Sequence, residues 1–232
     1  MNDMFQMPHR DGADIFGIPP AGDLVAPDIQ QRYDNTCAIR CQEIIMRDFG
    51  INIPEDTLRS EAEACHWYDP NGGTSIDDVG KLLVAHGIPA SRYDHANVYQ
   101  LVNELAAGKK IIVGVDSNEL WKDDAMEDLK DVIFGGQPDH ALIVAGIDTA
   151  DPDNVQVVLT DPGTGHVAKA YPLDQFLDAW NDSDNFMVVT DNAAPNTAWG
   201  MENFDGYVDL DQFAYSQNCV NMTDEEFMEE FT

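Results

Sequence analysis

The chain has 232 residues, 44% of them hydrophobic, which suffices for one large domain with extensions. Twelve basic residues against 43 acidic ones leave a formal charge of −31. That balance argues against a nucleic-acid role, disfavours anionic membrane surfaces, and suits cationic partners.

The N-terminal stretch has no apolar core of signal-peptide length and no basic leader, and no run approaches the roughly 18 apolar residues of a membrane span. The expectation is a chain without membrane insertion, cytoplasmic or secreted by a route that needs no classical signal. Residues 1–27, rich in Met, Pro, Gly and Asp, read as an irregular arm. Cys37, Cys41, Cys65 and Cys219 are irregularly spaced without a CxxC pair. They read as free thiols of a reducing compartment, and nothing nearby completes a zinc site.

Residues 36–50 predict the first helix. Thr36 is a candidate N-cap, Ala38, Cys41, Ile45 and Phe49 recur on one face, and Gly50 is a stop. Cys37 falls at the first turn, where free N–H groups and the helix dipole favour a thiolate. A second helix follows Pro54, with Glu55 and Asp56 as first-turn acids and Leu58, Ala62 and Cys65 as its stripe. A third is expected over 75–86, with Ile76, Val79 and Leu83 on one face, and a fourth from Val98 to the glycine at 108. His66 and His86 read as partly exposed helix-end residues.

The second half turns to strands. Residues 111–116 are a continuous apolar run and so a buried strand. Residues 117–138 are charged and read as an insertion, either a lid over a site or a plain surface excursion. Strands follow at 139–148, at 155–161 and from His166. Pro172 opens a short helix, and residues 186–190 form a fifth strand. Helices followed by a meander of strands are the order of an α+β domain. It is expected over 28–190, with an acidic extension at 191–232 that could end in a short amphipathic helix.

A thiolate nucleophile needs a base that later serves as an acid, and histidine does both. Of the six histidines, His140 is the best candidate, because it begins a buried strand beside a loop. Asp161 ends the next strong strand. A hairpin brings the start of one strand to the end of the next, so Asp161 can orient the imidazole. Gln31, six residues before Cys37, carries an amide that can face an oxyanion beside the sulfur.

This set, Gln31, Cys37 at a helix start, Asp139-His140 opening an apolar strand and Asp161-Pro162-x-x-Gly165 after the next, resembles the bacteriocin-processing cysteine peptidases. The resemblance implies a papain-like fold, an N-terminal helical half packed on a C-terminal antiparallel sheet. It also implies Cys37 as nucleophile, His140 as acid and base, Asp161 as orienting group and Gln31 as oxyanion donor, with no metal or cofactor. Two departures bear on the substrate: Ala38 stands where the family usually has glycine, and the acidic extension has no counterpart. The expected function is thiol-dependent hydrolysis of a peptide or amide bond in a peptide or protein substrate, with a cationic one preferred. The alternatives are a catalytically weak binding or regulatory protein using its acidic surface, and a thiol acyltransferase.

Overall fold

The computed structural model describes residues 15–121 and 139–195. Its elements in chain order are β1 (Ile15–Gly17), α1 (Cys37–Asp48), α2 (Glu55–Ala64), a 3-10 turn (Ile76–Asp78), α3 (Lys81–Ala85), β2 (Ala90–Tyr93) and α4 (Val98–Ala106). There follow β3 (Ile111–Val115), α5 (Ser117–Trp121), β4 (His140–Asp148), β5 (Gln156–Asp161), β6 (His166–Pro172), α6 (Leu173–Asn181) and β7 (Met187–Thr190). The fold is α+β, as expected.

One antiparallel sheet organises the domain, in the order β2-β7-β3-β4-β5-β6, with β1 paired to the far end of β4. The meander therefore covers β3 to β6 only, while β7 crosses back to lie between β2 and β3. Side chains alternate between two cores. Val113, Leu142, Val144 and Leu159 face α4 and α6, where Leu101, Phe176 and Trp180 are fully buried. Ile112, Ile143 and Val188 face α1, α2 and α3. Burial on both faces is why β3 and the middle of β4 read as unbroken apolar runs. The N-terminal helices α1 to α3 thus pack on one face of the sheet, and α4 and α6 cover the other.

Helix α1 is buried more fully than a single stripe requires. Every residue from Ala38 to Met46 is buried, including Arg40, Gln42 and Glu43. The expected third helix is broken. Gly80, at φ +97, separates a 3-10 turn from α3, and a Cβ there would come within 2.9 Å of Val188. His86 is 5% exposed and its Nε2 lies 2.9 Å from Glu61, so it is a buried paired residue and not a partly exposed one.

The arm contributes structure at its described end. Ile15–Gly17 pair with β4, and residues 21–26 bond along the outer edge of β6 through Ala21 to Ala168, Val167 to Leu24 and Ala26 to Gly165. That cover shields a sheet edge that would otherwise be open. Cys37 and Cys41 are free thiols, but Cys65 is disulfide-bonded, which corrects the reading of four free thiols. Cys219, the acidic extension from 196 onward, the arm before 15 and the insertion from 122 to 138 lie outside the described residues. Among the described residues no helix is long and apolar enough to cross a membrane.

Candidate active site

Cys37 is the first residue of α1, where the helix leaves its N–H groups without internal partners. Thr36 occupies the cap position but makes no side-chain cap; its hydroxyl instead donates to Glu55 Oε1 at 2.6 Å. The first turn therefore stays open. The backbone N–H groups of Ala141 and Ala38 both support the Cys37 sulfur. One turn below, Cys41 Sγ donates to the carbonyl of Ala141 at 3.4 Å. A single β4 residue thus faces two cysteines of α1, its carbonyl accepting from Cys41.

That grip sets His140, the neighbour of Ala141, against the sulfur. The Cys37 thiol and the His140 imidazole are close enough to shift each other's titration. His140 Nε2 lies 2.8 Å from Asp161 Oδ1, so the ring nitrogen left for the sulfur is Nδ1. Asp161 is 1% exposed and saturated: it also accepts from the Gly163 N–H at 2.8 Å and from the Thr164 hydroxyl at 2.8 Å. Trp121, at the end of α5, meets the His140 ring edge-on with centroids 5.3 Å apart. Its helix is anchored by Asp139, which accepts from the Ser117 N–H at 2.9 Å and the Ser117 hydroxyl at 3.0 Å.

The electrostatics follow from this packing. Burial pushes the Cys37 thiol up, but the hydrogen bond and charge of His140 and the two N–H groups outweigh it, and the thiol titrates below its ordinary value. Burial pushes His140 down, but the hydrogen bonds and charges of Asp161 and Cys37 outweigh it and raise the imidazole to about 10. Asp161 is held below its usual range: burial opposes this, while His140, Thr164 and the Gly163 N–H favour the carboxylate. Between the lowered titration of Cys37 and that of His140 at about 10, the site holds a thiolate–imidazolium pair. Cys41, fully buried and beside Cys37, is pushed well up and stays a thiol.

Gln31 is fixed by its own N–H, which donates to Pro162 O at 2.8 Å, directly after Asp161. Its side-chain nitrogen donates to Tyr33 O at 2.6 Å, leaving one amide proton for a ligand, while Oε1 is buried without a partner. Gln31 lines a 280 Å³ cavity with Trp121, His140 and Gly163. Cys37 lines a neighbouring cleft of 380 Å³ with Asp34, Gly73, Thr74, Asp139 and His140. His140 lines both. A larger cavity of 510 Å³, between Gly17–Pro19 and Gly108–Lys110, contains none of these groups.

The chain's sequence over residues 24–187 matches the profile of the Peptidase_C39 like family. The chain belongs to that family.

This Peptidase_C39-like chain is 32% identical over 151 residues to uncharacterised proteins of Mycobacterium bovis and Mycobacterium tuberculosis, covering 59% of this chain and 61% of each relative. The match thus spans about three fifths of those relatives. Among solved structures it is similar to a double glycine motif protease from an AMS/PCAT transporter, in complex with the leader peptide, at 13% identity and TM-score 0.47 over 74% of this chain and 96% of that one. A putative C39-like peptidase from Bacillus anthracis gives 12% identity and TM-score 0.48, over 73% and 98%.

Four residues of this Peptidase_C39-like site escaped sequence reasoning. Gly163 and Thr164 sit in a turn whose composition alone explains it. Arg40 and Glu55 look like surface charges on amphipathic helices, yet both are buried. The missed signal for Thr164 was a hydroxyl three residues beyond Asp161, in reach of its carboxylate.

Proposed function

We propose that this chain is a cysteine peptidase, hydrolysing a peptide or amide bond through Cys37, His140 and Asp161. The observation that carries the reading is that Cys37 and His140 line one cleft while the His140 ring is held by the Asp161 carboxylate at 2.8 Å. In this reading the Cys37 thiolate attacks the scissile carbonyl, forming the C–S bond as the carbonyl π pair moves onto oxygen. The N–H groups of the open first turn of α1 and the spare Gln31 amide proton face that oxyanion. His140 gives its proton to the leaving amine as the C–N bond breaks, then takes one from water, which attacks the thioester and frees Cys37. Asp161 holds the ring tautomer throughout.

A peptide or protein is the fitting substrate class. Asp34 and Asp139 stand on the cleft that holds Cys37, and the chain carries a formal charge of −31, so cationic substrates are favoured. The deciding experiment maps iodoacetamide labelling by mass and screens a basic peptide library. The expected result is selective labelling of Cys37 over Cys41 near neutral pH, with cleavage lost in Cys37→Ala. Equal labelling, or cleavage that survives the substitution, overturns the assignment.

A further inference from the structure

We infer that Glu55, acting with Arg40, is a positioning residue for the loop that presents Gln31; this rests on the assignment of Cys37 and Gln31 just given. Glu55 opens α2 and is 1% exposed, and Arg40 lies in α1 at 5% exposed. An acid that merely complements a helix dipole needs no burial, and a buried charge costs stability unless its partners are well placed. These partners share one destination. Glu55 accepts from the Arg32 N–H through both oxygens, at 3.1 Å each, and from the Thr36 hydroxyl at 2.6 Å. Arg40 donates to the carbonyls of Ile29, at 3.2 Å, and of Asp28. Its guanidinium also pairs with Glu43 and lies 3.8 Å from Glu55. Apart from these internal pairs, the contacts of Glu55 and Arg40 fall on the backbone or hydroxyls of residues 28–36.

They bracket Gln31. Arg40 fixes the carbonyl two residues before it, and Glu55 fixes the N–H one residue after it. A second link runs through Tyr33. Its carbonyl is in reach of both the Gln31 amide at 2.6 Å and the Thr36 hydroxyl at 3.1 Å. The Thr36 hydroxyl has one proton, and its shorter contact is to Glu55. That contact ties Glu55 to the end of the loop, while Tyr33 O orients the Gln31 amide. None of these groups touches the sulfur, so the effect reaches the reaction only through the oxyanion donor.

The test is a double-mutant cycle read with two probes. Iodoacetamide reports on the Cys37 thiolate without forming an oxyanion. A short N-acetyl peptide aldehyde ending in glycinal adds to Cys37: the C–S bond forms, the carbonyl becomes an oxyanion, and the proton comes from His140. Gln31→Ala is expected to weaken aldehyde binding about 10²-fold. Glu55→Gln is expected to weaken it about 10-fold with Gln31 present and not at all with Gln31→Ala, while the iodoacetamide rate at Cys37 holds in both. Thr36→Val should behave like Glu55→Gln and Thr36→Ser like the parent, and this pair decides the cycle if Glu55→Gln does not fold. Equal losses in both Gln31 backgrounds, or unchanged aldehyde affinity in the folded variants, overturns the proposal. Loss of iodoacetamide selectivity for Cys37 in the parent chain would instead remove the peptidase reading beneath it.

Discussion

Gly163 lies flat against the His140 ring: a Cβ built on it would stand 2.9 Å from Cε1, 3.1 Å from Nε2 and 3.2 Å from Asp161 Oδ1. The glycine at this turn therefore serves close approach to the imidazole. Gly163→Ala should displace the ring and lower kcat/KM about 10²-fold, since misplacement near 1 Å costs that much. The melting temperature should hold within a few degrees, because nothing in the core moves. Steady-state kinetics beside thermal unfolding checks both halves.

The pH profile of cleavage follows from the paired shifts. Cys37 titrates below its ordinary value of 9.0, so activity should be established below pH 9. His140 keeps its proton up to about pH 10, so the alkaline limb of kcat/KM should fall there. His140→Ala should move the acid limb of Cys37 alkylation upward, because the positive partner is gone. An unshifted limb would contradict the ion pair.

Asp161→Asn should act on both rate and stability. Loss of the carboxylate removes the charge that favours the imidazolium and lets an amide NH2 face the ring in the wrong tautomer, and kcat should fall about 10²- to 10⁴-fold. The folded pKa of Asp161 lies below its ordinary value of 3.8. A lowered carboxylate contributes stability that is present above the unfolded value and lost as pH falls through the folded one. Wild type should therefore lose stability below about pH 4 more steeply than Asp161→Asn. Urea unfolding at pH 3 and pH 6 measures the difference.

Gly146→Ala should loosen β1. A Cβ at Gly146 would meet Ile18 O at 2.4 Å and Phe16 O at 2.8 Å, both backbone atoms that cannot swing aside. Overpacking of this kind destabilises by about 1–3 kcal/mol. Denaturant titration should show that loss, limited proteolysis should cut earlier near Phe16, and Cys37 alkylation should be unchanged because the site lies at the other end of β4.

Much of the frame was legible because its signals are local. The run Ile111–Val115 and the spacing of Ala38, Cys41 and Ile45 carry their structure in their own periodicity. His140 and Asp161 were legible as neighbours because a hairpin brings its strand ends together. What stayed hidden depends on distant partners. Glu55 read only as a first-turn acid and Arg40 gave no signal, since only the folded loop 28–36 shows what satisfies them. Ile15–Gly17 is too short to announce a strand, and its pairing is dictated by Gly146 across more than a hundred residues. The place of β7 between β2 and β3 depends on crossover topology, which no period records.

The grip of Cys37 and Cys41 on Ala141 joins positions about 100 residues apart in the chain. A nascent or half-folded polypeptide therefore carries a thiol of ordinary chemistry at position 37. The acidic thiol emerges only after synthesis has passed β4 and the long loop between them has closed. Selective reactivity of Cys37 over Cys41 is thus a reporter of completed folding, and a ribosome-bound fragment ending before residue 140 should label the two alike.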